Sequence, residues 1–252
     1  VLAVDDVSIR AKPGEIFSLV GENGAGKTTL MNVLNGVVSA DSGEIFIDGE
    51  KVEVDSPREA IELGISMIHQ ELALIPQLTV GQNIYLGREP RRNVGGLIDW
   101  QALYQSAEAD LESLGIDIPV KAPIKTLTVA QQQLVEIAKA LSYQSRIIVL
   151  DEPTSSLTDR ESDVLFELMR SLREQNVTMI YISHRIEEVF DISDRIAVLR
   201  DGQLVGVNPV EDLTSQKVVQ MMVGRDIEDF FTKSSTAEAG EIILEARNLS
   251  SG

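Results

Sequence analysis

The sequence predicts an α/β fold in which a mostly parallel sheet carries helices on its faces. Short β-rich apolar runs alternate with segments of helical period. A glycine-rich loop, Gly21-Glu22-Asn23-Gly24-Ala25-Gly26-Lys27-Thr28, directly follows one such run and opens a helical stretch. Two Asp-Gly pairs, Asp48-Gly49 and Asp201-Gly202, split apolar runs in the manner of hairpins, so antiparallel strands are expected beside the parallel ones.

Taken in order, Ile16 to Val20 reads as a buried strand and Thr28 to Val37 as the helix after the loop. Gly43 to Val52 is the first hairpin, an antiparallel addition. Ile65 to His69 is the next strand. Between Leu72 and Tyr143 the strand signal fades, and helical patterns at Trp100 to Leu114 and Val129 to Leu141 predict a helical subdomain. Strands return at Ile147 to Leu150 and Thr178 to Ser183, and Ala197 to Val207 is the second hairpin. Residues 231–240 are small and polar, reading as a linker, and Glu241 to Leu249 begins another apolar strand.

The chain of 252 residues is long enough for one large α/β domain with a sizeable core. Its longest apolar run is four residues, as in Ile147 to Leu150, so no segment is expected to span a membrane. The opening residues have neither a basic nor an apolar signal region, and cysteine is absent, which fits the cytoplasm. Lys and Arg number 22 against 40 Asp and Glu, a net charge of −18 that repels phosphate backbones. Nucleic acid is therefore not an expected partner.

The glycine loop predicts a nucleotide site. Glycines let backbone amides curl round a polyphosphate, and the following helix adds positive potential at its N-terminus. Lys27 is expected to reach the β- and γ-phosphates and Thr28 to ligate Mg²⁺, with Thr29 continuing the phosphate-binding run. The strand Ile147 to Leu150 ends in Asp151-Glu152, adjacent acids that face different ways and so hold different tasks. Asp151 is expected to hold Mg²⁺ through water and Glu152 to orient and deprotonate an attacking water. Gln70, with an amide suited to a metal-bound oxygen and a water, ends one strand; His184, able to bond a γ-phosphate or the water, ends another. His184 is expected to open at the same carboxyl edge as Asp151-Glu152, where ligands of such sheets sit. His69 is expected to be structural. Leu127-Thr128-Val129-Ala130-Gln131 opens an amphipathic helix, with Thr128 and Gln131 spaced as a capping box.

In this order and spacing, the phosphate loop, Gln70, the helix opening at Leu127-Thr128, Asp151-Glu152-Pro153-Thr154 and His184 resemble an ABC ATPase, over nearly the whole chain. Ile68-His69-Gln70-Glu71-Leu72, Gly96-Leu97-Ile98-Asp99-Trp100, Ser155-Ser156-Leu157-Thr158 and Met221-Met222-Val223-Gly224-Arg225 look like the ATP-binding subunits of bacterial monosaccharide importers of the ribose, galactose and xylose type. The resemblance implies a P-loop NTPase fold with a RecA-like core, an antiparallel β subdomain and an inserted helical subdomain. It implies a cassette over 1–230 with its core in 1–71 and 145–230, a helical subdomain over 72–144, a linker at 231–240 and the start of a second cassette at 241–252.

By the same resemblance, ATP and Mg²⁺ are the ligands, hydrolysis powers monosaccharide import, and the chain works at the cytoplasmic face of the inner membrane as a peripheral subunit. Its partners would be membrane permease subunits, a second cassette in the same polypeptide and, indirectly, an external sugar-binding protein. Leu72 to Val80 would form the groove for a permease helix, and an aromatic residue stacking on adenine would lie upstream of Val1. The family pattern Leu-Ser-Gly-Gly-Gln is met here only as Leu127-Thr128-Val129-Ala130-Gln131, so Thr128, Val129, Ala130 and Gln131 are expected to face a weak or silent site on the opposing cassette. An ABC ATPase of translation or DNA repair is the alternative, and the acidic charge and importer segments weigh against it. A GTP switch would need an Asn/Thr-Lys-x-Asp guanine reader, which does not occur in this sequence, and the intact Glu152 weighs against a nucleotide-binding module without hydrolysis.

Overall fold

The computed structural model describes residues 2–92 and 96–224. The linker at 231–240 and the strand at 241–252 lie outside the described residues, as does Arg225.

Six strands form the main sheet: β1 (Ile16–Val20), β4 (Ile65–Ile68), β5 (Ile147–Asp151), β6 (Thr178–Ile182), β7 (Arg195–Arg200) and β8 (Gln203–Pro209). Their order is β4-β5-β6-β1-β7-β8, with every pair parallel except β7 with β8. β1 and β6 are buried at every position, as expected of strands with both faces covered. The two expected hairpins end differently. Arg195–Pro209 adds β8 to the sheet edge, whereas β2 (Ile45–Ile47) and β3 (Glu50–Val52) pair as a separate two-stranded sheet.

Helices start where side chains can take up the free amides of the first turn. Ser56 caps α2 (Pro57–Glu62), with Pro57 at a position where its missing N–H costs nothing. Thr79 with Gln82, Thr128 with Gln131 and Thr158 with Glu161 close reciprocal capping boxes on α3 (Val80–Ile84), α5 (Val129–Leu141) and α6 (Asp159–Glu174). Asp99 caps α4 (Trp100–Ser113), and α8 (Ser215–Val223) ends at left-handed Gly224. α1 (Lys27–Leu34) is different: its cap is Gly26 and no side chain bonds its first turn. Among the described residues between β4 and β5 there is no strand, only two isolated antiparallel bridges beside helices and turns that include α3, α4 and α5.

One core lies between the sheet and α5, α6 and α7 (Ile186–Ile192), with Val149's strand neighbours Ile148 and Leu150 facing it. A second, smaller one lies on the other face under α1, built on Phe17, Leu19, Met31, Val149 and Ile180. Phe166 of α6 meets Tyr181 of β6 edge-on, ring centres 6.3 Å apart. These two layers fix the carboxyl ends of β5, β6 and β1 side by side. Among the described residues no helix is long and apolar enough to cross a membrane.

Candidate functional site

The loop after β1 has the form that its glycines dictate. A Cβ at Gly21 would stand 2.3 Å from the Leu199 carbonyl oxygen, so β7 passes too closely for any side chain there. Gly26 takes φ +98° as the cap of α1, where a Cβ would come within 2.5 Å of the Ala3 carbonyl oxygen. Ala25 is buried while Glu22, Asn23 and Gly24 are exposed, so the loop is pinned at one end and open over its middle. Lys27 is buried and folds back, its Nζ donating to the Gly21 carbonyl at 2.8 Å and the Glu22 carbonyl at 3.1 Å. Burial pushes its pKa down, against the charges of Glu152 and Asp151, which push it up. Thr28 is exposed and Thr29 half-buried at the start of α1.

Asp151 closes β5 opposite Ile182 of β6. It is 9% exposed, and burial, with the Glu152 charge, raises its pKa while His69 and Lys27 lower it. Glu152 follows at φ +49°, a left-handed position uncommon for a residue with a side chain. Its N–H donates to the Ile182 carbonyl at 2.9 Å, which ties the turn to β6. Its Oε1 lies 3.1 Å from Nδ1 of His184. His184 leaves β6 with its ring more than half exposed, while the Glu152 side chain is mostly buried. Thus Lys27, Asp151, Glu152 and His184 converge at one edge.

The remaining expected residues are placed less tightly. Gln70 is exposed at the carboxyl end of β4, next to β5. No hydrogen bond joins Gln70, Thr28 or Thr29 to Asp151 or Glu152 among the described residues. His69, expected to be structural, is instead exposed at that strand end and acts on Asp151. The cause is the sheet order, because β4 lies beside β5. Of the leucines, isoleucine and valine from Leu72 to Val80, Leu74 and Val80 are core, which leaves Leu72, Ile75 and Leu78 with surface to offer a groove. A cavity of about 240 Å³ opens between β4 and α5, lined by His69, Ala73, Glu136, Lys139 and Tyr143 among others. Glu136 is buried there, raised in pKa by that burial, and accepts the Ala73 N–H at 2.6 Å.

Thr128 to Gln131 stand at the amino end of α5. The Thr128 hydroxyl accepts the Gln131 N–H and the Gln131 side chain accepts the Thr128 N–H, at 3.2 and 3.0 Å. Val129 is exposed and Ala130 half-buried.

Sequence reasoning missed a buried polar cluster behind this edge. Glu188 of α7 accepts hydrogen bonds from Thr154 and Tyr181, both at 2.7 Å. Burial pushes the Tyr181 phenol's pKa far up. The only signal in the sequence was an acid on the helix after His184, indistinguishable there from a solvated charge.

Comparison with known proteins yields concordant matches. The family described as ABC transporter matches residues 4–155. The ribose import ATP-binding protein RbsA of Chromobacterium violaceum is 50% identical over 250 residues, covering 99% of this chain and 49% of that protein. The ribose import ATP-binding protein RbsA 1 of Burkholderia ambifaria is 48% identical over 253 residues, covering 99% and 49%. The chain therefore spans about half the length of the curated relatives it matches. Among solved structures, the ADP conformation of MJ1267, an ATP-binding cassette of an ABC transporter, superposes with a TM-score of 0.75 at 26% identity, covering 88% of this chain and 93% of that one.

Proposed function

The chain belongs to the ABC transporter family, and from that premise we propose that it is an ATP-binding and ATP-hydrolysing cassette powering import of a monosaccharide through a membrane permease. The observation that carries this reading is the Glu152–His184 contact of 3.1 Å beside the glycine loop and Asp151. A carboxylate and an imidazole at a phosphate site suit the activation of water. Ribose is the sugar for which the relatives are named.

Hydrolysis then follows from charge and position. Backbone amides of Gly21 to Thr28 would hold the ATP phosphates, and Lys27 would leave its two carbonyl partners for the β- and γ-oxygens. Mg²⁺ fits the donor set here, since Thr28 and Asp151 offer hard oxygen ligands at the same edge and Asp151 is a mostly buried acid; when bound, it would neutralise charge building on the phosphates. Glu152 would take a proton as water attacks the γ-phosphorus in line, and the bond to the β-phosphate oxygen would break to give ADP and phosphate. His184 would orient Glu152 and bond the γ-phosphate. Gln70, exposed at the next strand end, would sense the same centre and link it to the permease surface formed with Leu72, Ile75 and Leu78.

Relatives about twice this length support a second cassette as partner in the same polypeptide; the pair would work at the cytoplasmic face of the membrane, with an external sugar-binding protein acting through the permease. ATP would lie between the two cassettes. Glycines at a signature position let amides approach the phosphate, whereas the side chain of Val129, which is exposed, would stand in that space. Losing such contacts costs about 2–4 kcal/mol in a transition state. The pair is thus asymmetric: this cassette supplies the phosphate loop, Glu152 and His184, and Thr128 to Gln131 face a weak site.

Reconstitution of the full-length protein with its permease tests the reading. Glu152→Gln should bind ATP normally and lose steady-state hydrolysis and sugar uptake. Substantial hydrolysis in that variant would overturn the assignment of catalysis to this half.

A further inference from the structure

We propose that Glu188 is a positioning residue for hydrolysis, locking together the two turns that carry Glu152 and His184; the proposal rests on the ATPase reading above. Glu188 is buried on α7, and its Oε2 accepts from Thr154 Oγ1 at 2.7 Å, Tyr181 OH at 2.7 Å and Ser183 Oγ at 3.3 Å. Thr154 lies two residues beyond Glu152 on the same turn, and Ser183 immediately precedes His184. One carboxylate oxygen therefore holds the turn after β5, the end of β6 and the residue before His184.

The other side of the residue continues the lock. Oε1 lies 2.5 Å from Arg185 Nη1, an ion pair whose angle does not make a hydrogen bond. Arg185 immediately follows His184; its backbone N–H donates to Ser183 Oγ at 3.0 Å, and its Nη2 reaches Asp159 Oδ1 at 3.1 Å at the start of α6. His184 is thus bracketed by two residues that both contact Glu188. Thr154, Tyr181 and Ser183 are each at most 2% exposed, so water does not offer these hydroxyls an easy substitute. Only an ionised carboxylate presents acceptors alone, and three donors converge on it here.

Geometry makes this matter for catalysis. The Glu152–His184 contact joins a side chain from each turn, and both turns leave the sheet at neighbouring strands. A shift of one turn by about 1 Å can cost on the order of 10²-fold in rate. Glu188 touches neither reacting group; it acts through the turns.

A purely structural role, in which Glu188 only anchors α7, would use Tyr181, Ser183 and Arg185 and not the Thr154 arm. Thr154→Val removes that arm, with the longer 3.4 Å contact of the Thr154 and Tyr181 hydroxyls, and keeps the side-chain shape. In the full-length protein with its permease, Thr154→Val and Glu188→Gln should each lower kcat at least about tenfold with KM for ATP within about twofold of the parent, and Thr154→Ser should restore kcat. In a His184→Ala background, Glu188→Gln should cause little further loss, because the contact it positions is already gone. A kcat for Thr154→Val within about twofold of the parent, or losses that multiply in the His184→Ala background, would overturn the proposal. Should Glu188→Gln fail to fold, the Thr154 pair carries the test by itself. A parent protein that binds ATP without hydrolysing it would overturn the ATPase reading, and this proposal with it.

Discussion

The carboxyl edge of the sheet and the amino end of α5 both point backbone amides outward, but of α1 and α5 only α5 has a side chain that takes one of them up. At the sheet edge, α1 starts from Gly26 with no side-chain cap, and the loop before it runs where no Cβ fits at Gly21 or Gly26. At α5, Thr128 and Gln131 satisfy one another in a reciprocal capping box. The backbone of Glu152 is held at positive φ, whereas Thr128 sits in ordinary extended geometry. An uncapped start costs stability unless an anion completes it. The left-handed Glu152 and the missing side-chain cap of α1 thus set the proposed nucleotide edge apart from the capped start of α5.

The largest expected effect would break the comparison at its catalytic side. Glu152→Gln should reduce phosphate release by about 10²-fold or more while nucleotide affinity, followed by a fluorescent analogue, stays near that of the parent. Retained turnover would place the water-activating group elsewhere. Next, Gly21→Ala forces a methyl against the Leu199 carbonyl. It should lower stability by roughly 1–3 kcal/mol in urea titration and weaken nucleotide binding. The matching change at α5, Thr128→Ala, should cost only about 1 kcal/mol, the worth of a cap, and leave nucleotide binding by this chain unchanged. Equal losses of binding in these two variants would erase the distinction between the regions.

Two smaller effects would sharpen it. Burial raises the folded pKa of Asp151, so its ionisation costs stability as pH rises through that value, and nothing is lost below the unfolded carboxyl pKa. Asp151→Asn should therefore be more stable than the parent above about pH 4, the ordinary carboxyl range, and equal to it in stronger acid. Urea unfolding across that range, without Mg²⁺ or nucleotide, measures the difference. Val129→Gly in the full-length protein should raise turnover by no more than about twofold, the gain from one additional working site, at a helix cost of up to about 1 kcal/mol. A decrease in turnover would mean that Val129 already serves hydrolysis.

What could be read from the sequence was what is local. Each glycine of the phosphate loop, the apolar run into Asp151-Glu152 and the Thr128-x-x-Gln131 spacing bears its meaning within a few residues, and the last predicted the start of α5 to the residue. Strand order is not local. His69 looked structural until β4 was placed beside β5, which brought it within reach of Asp151. Leu74 and Val80 looked available for a groove because an apolar run does not tell which members the core takes. Glu188 is the clearest case. Two adjacent acids in a short helix read as solvated charge, and the partner that gives one of them its importance, Thr154, is 34 residues away in the chain.

The contacts of Lys27 with its own loop carry a thermodynamic consequence. Because Nζ already spends two hydrogen bonds on the Gly21 and Glu22 carbonyls, an arriving phosphate must compete for the ammonium group instead of simply meeting it. Affinity then reflects a difference between two sets of bonds. A lone phosphate, touching few of the loop amides, gains little from that exchange, while a longer polyphosphate spanning the loop replaces both lost bonds and adds more. If Lys27 meets phosphate as proposed, it would act as a threshold, setting the chain length an anion must have before the loop releases its own side chain.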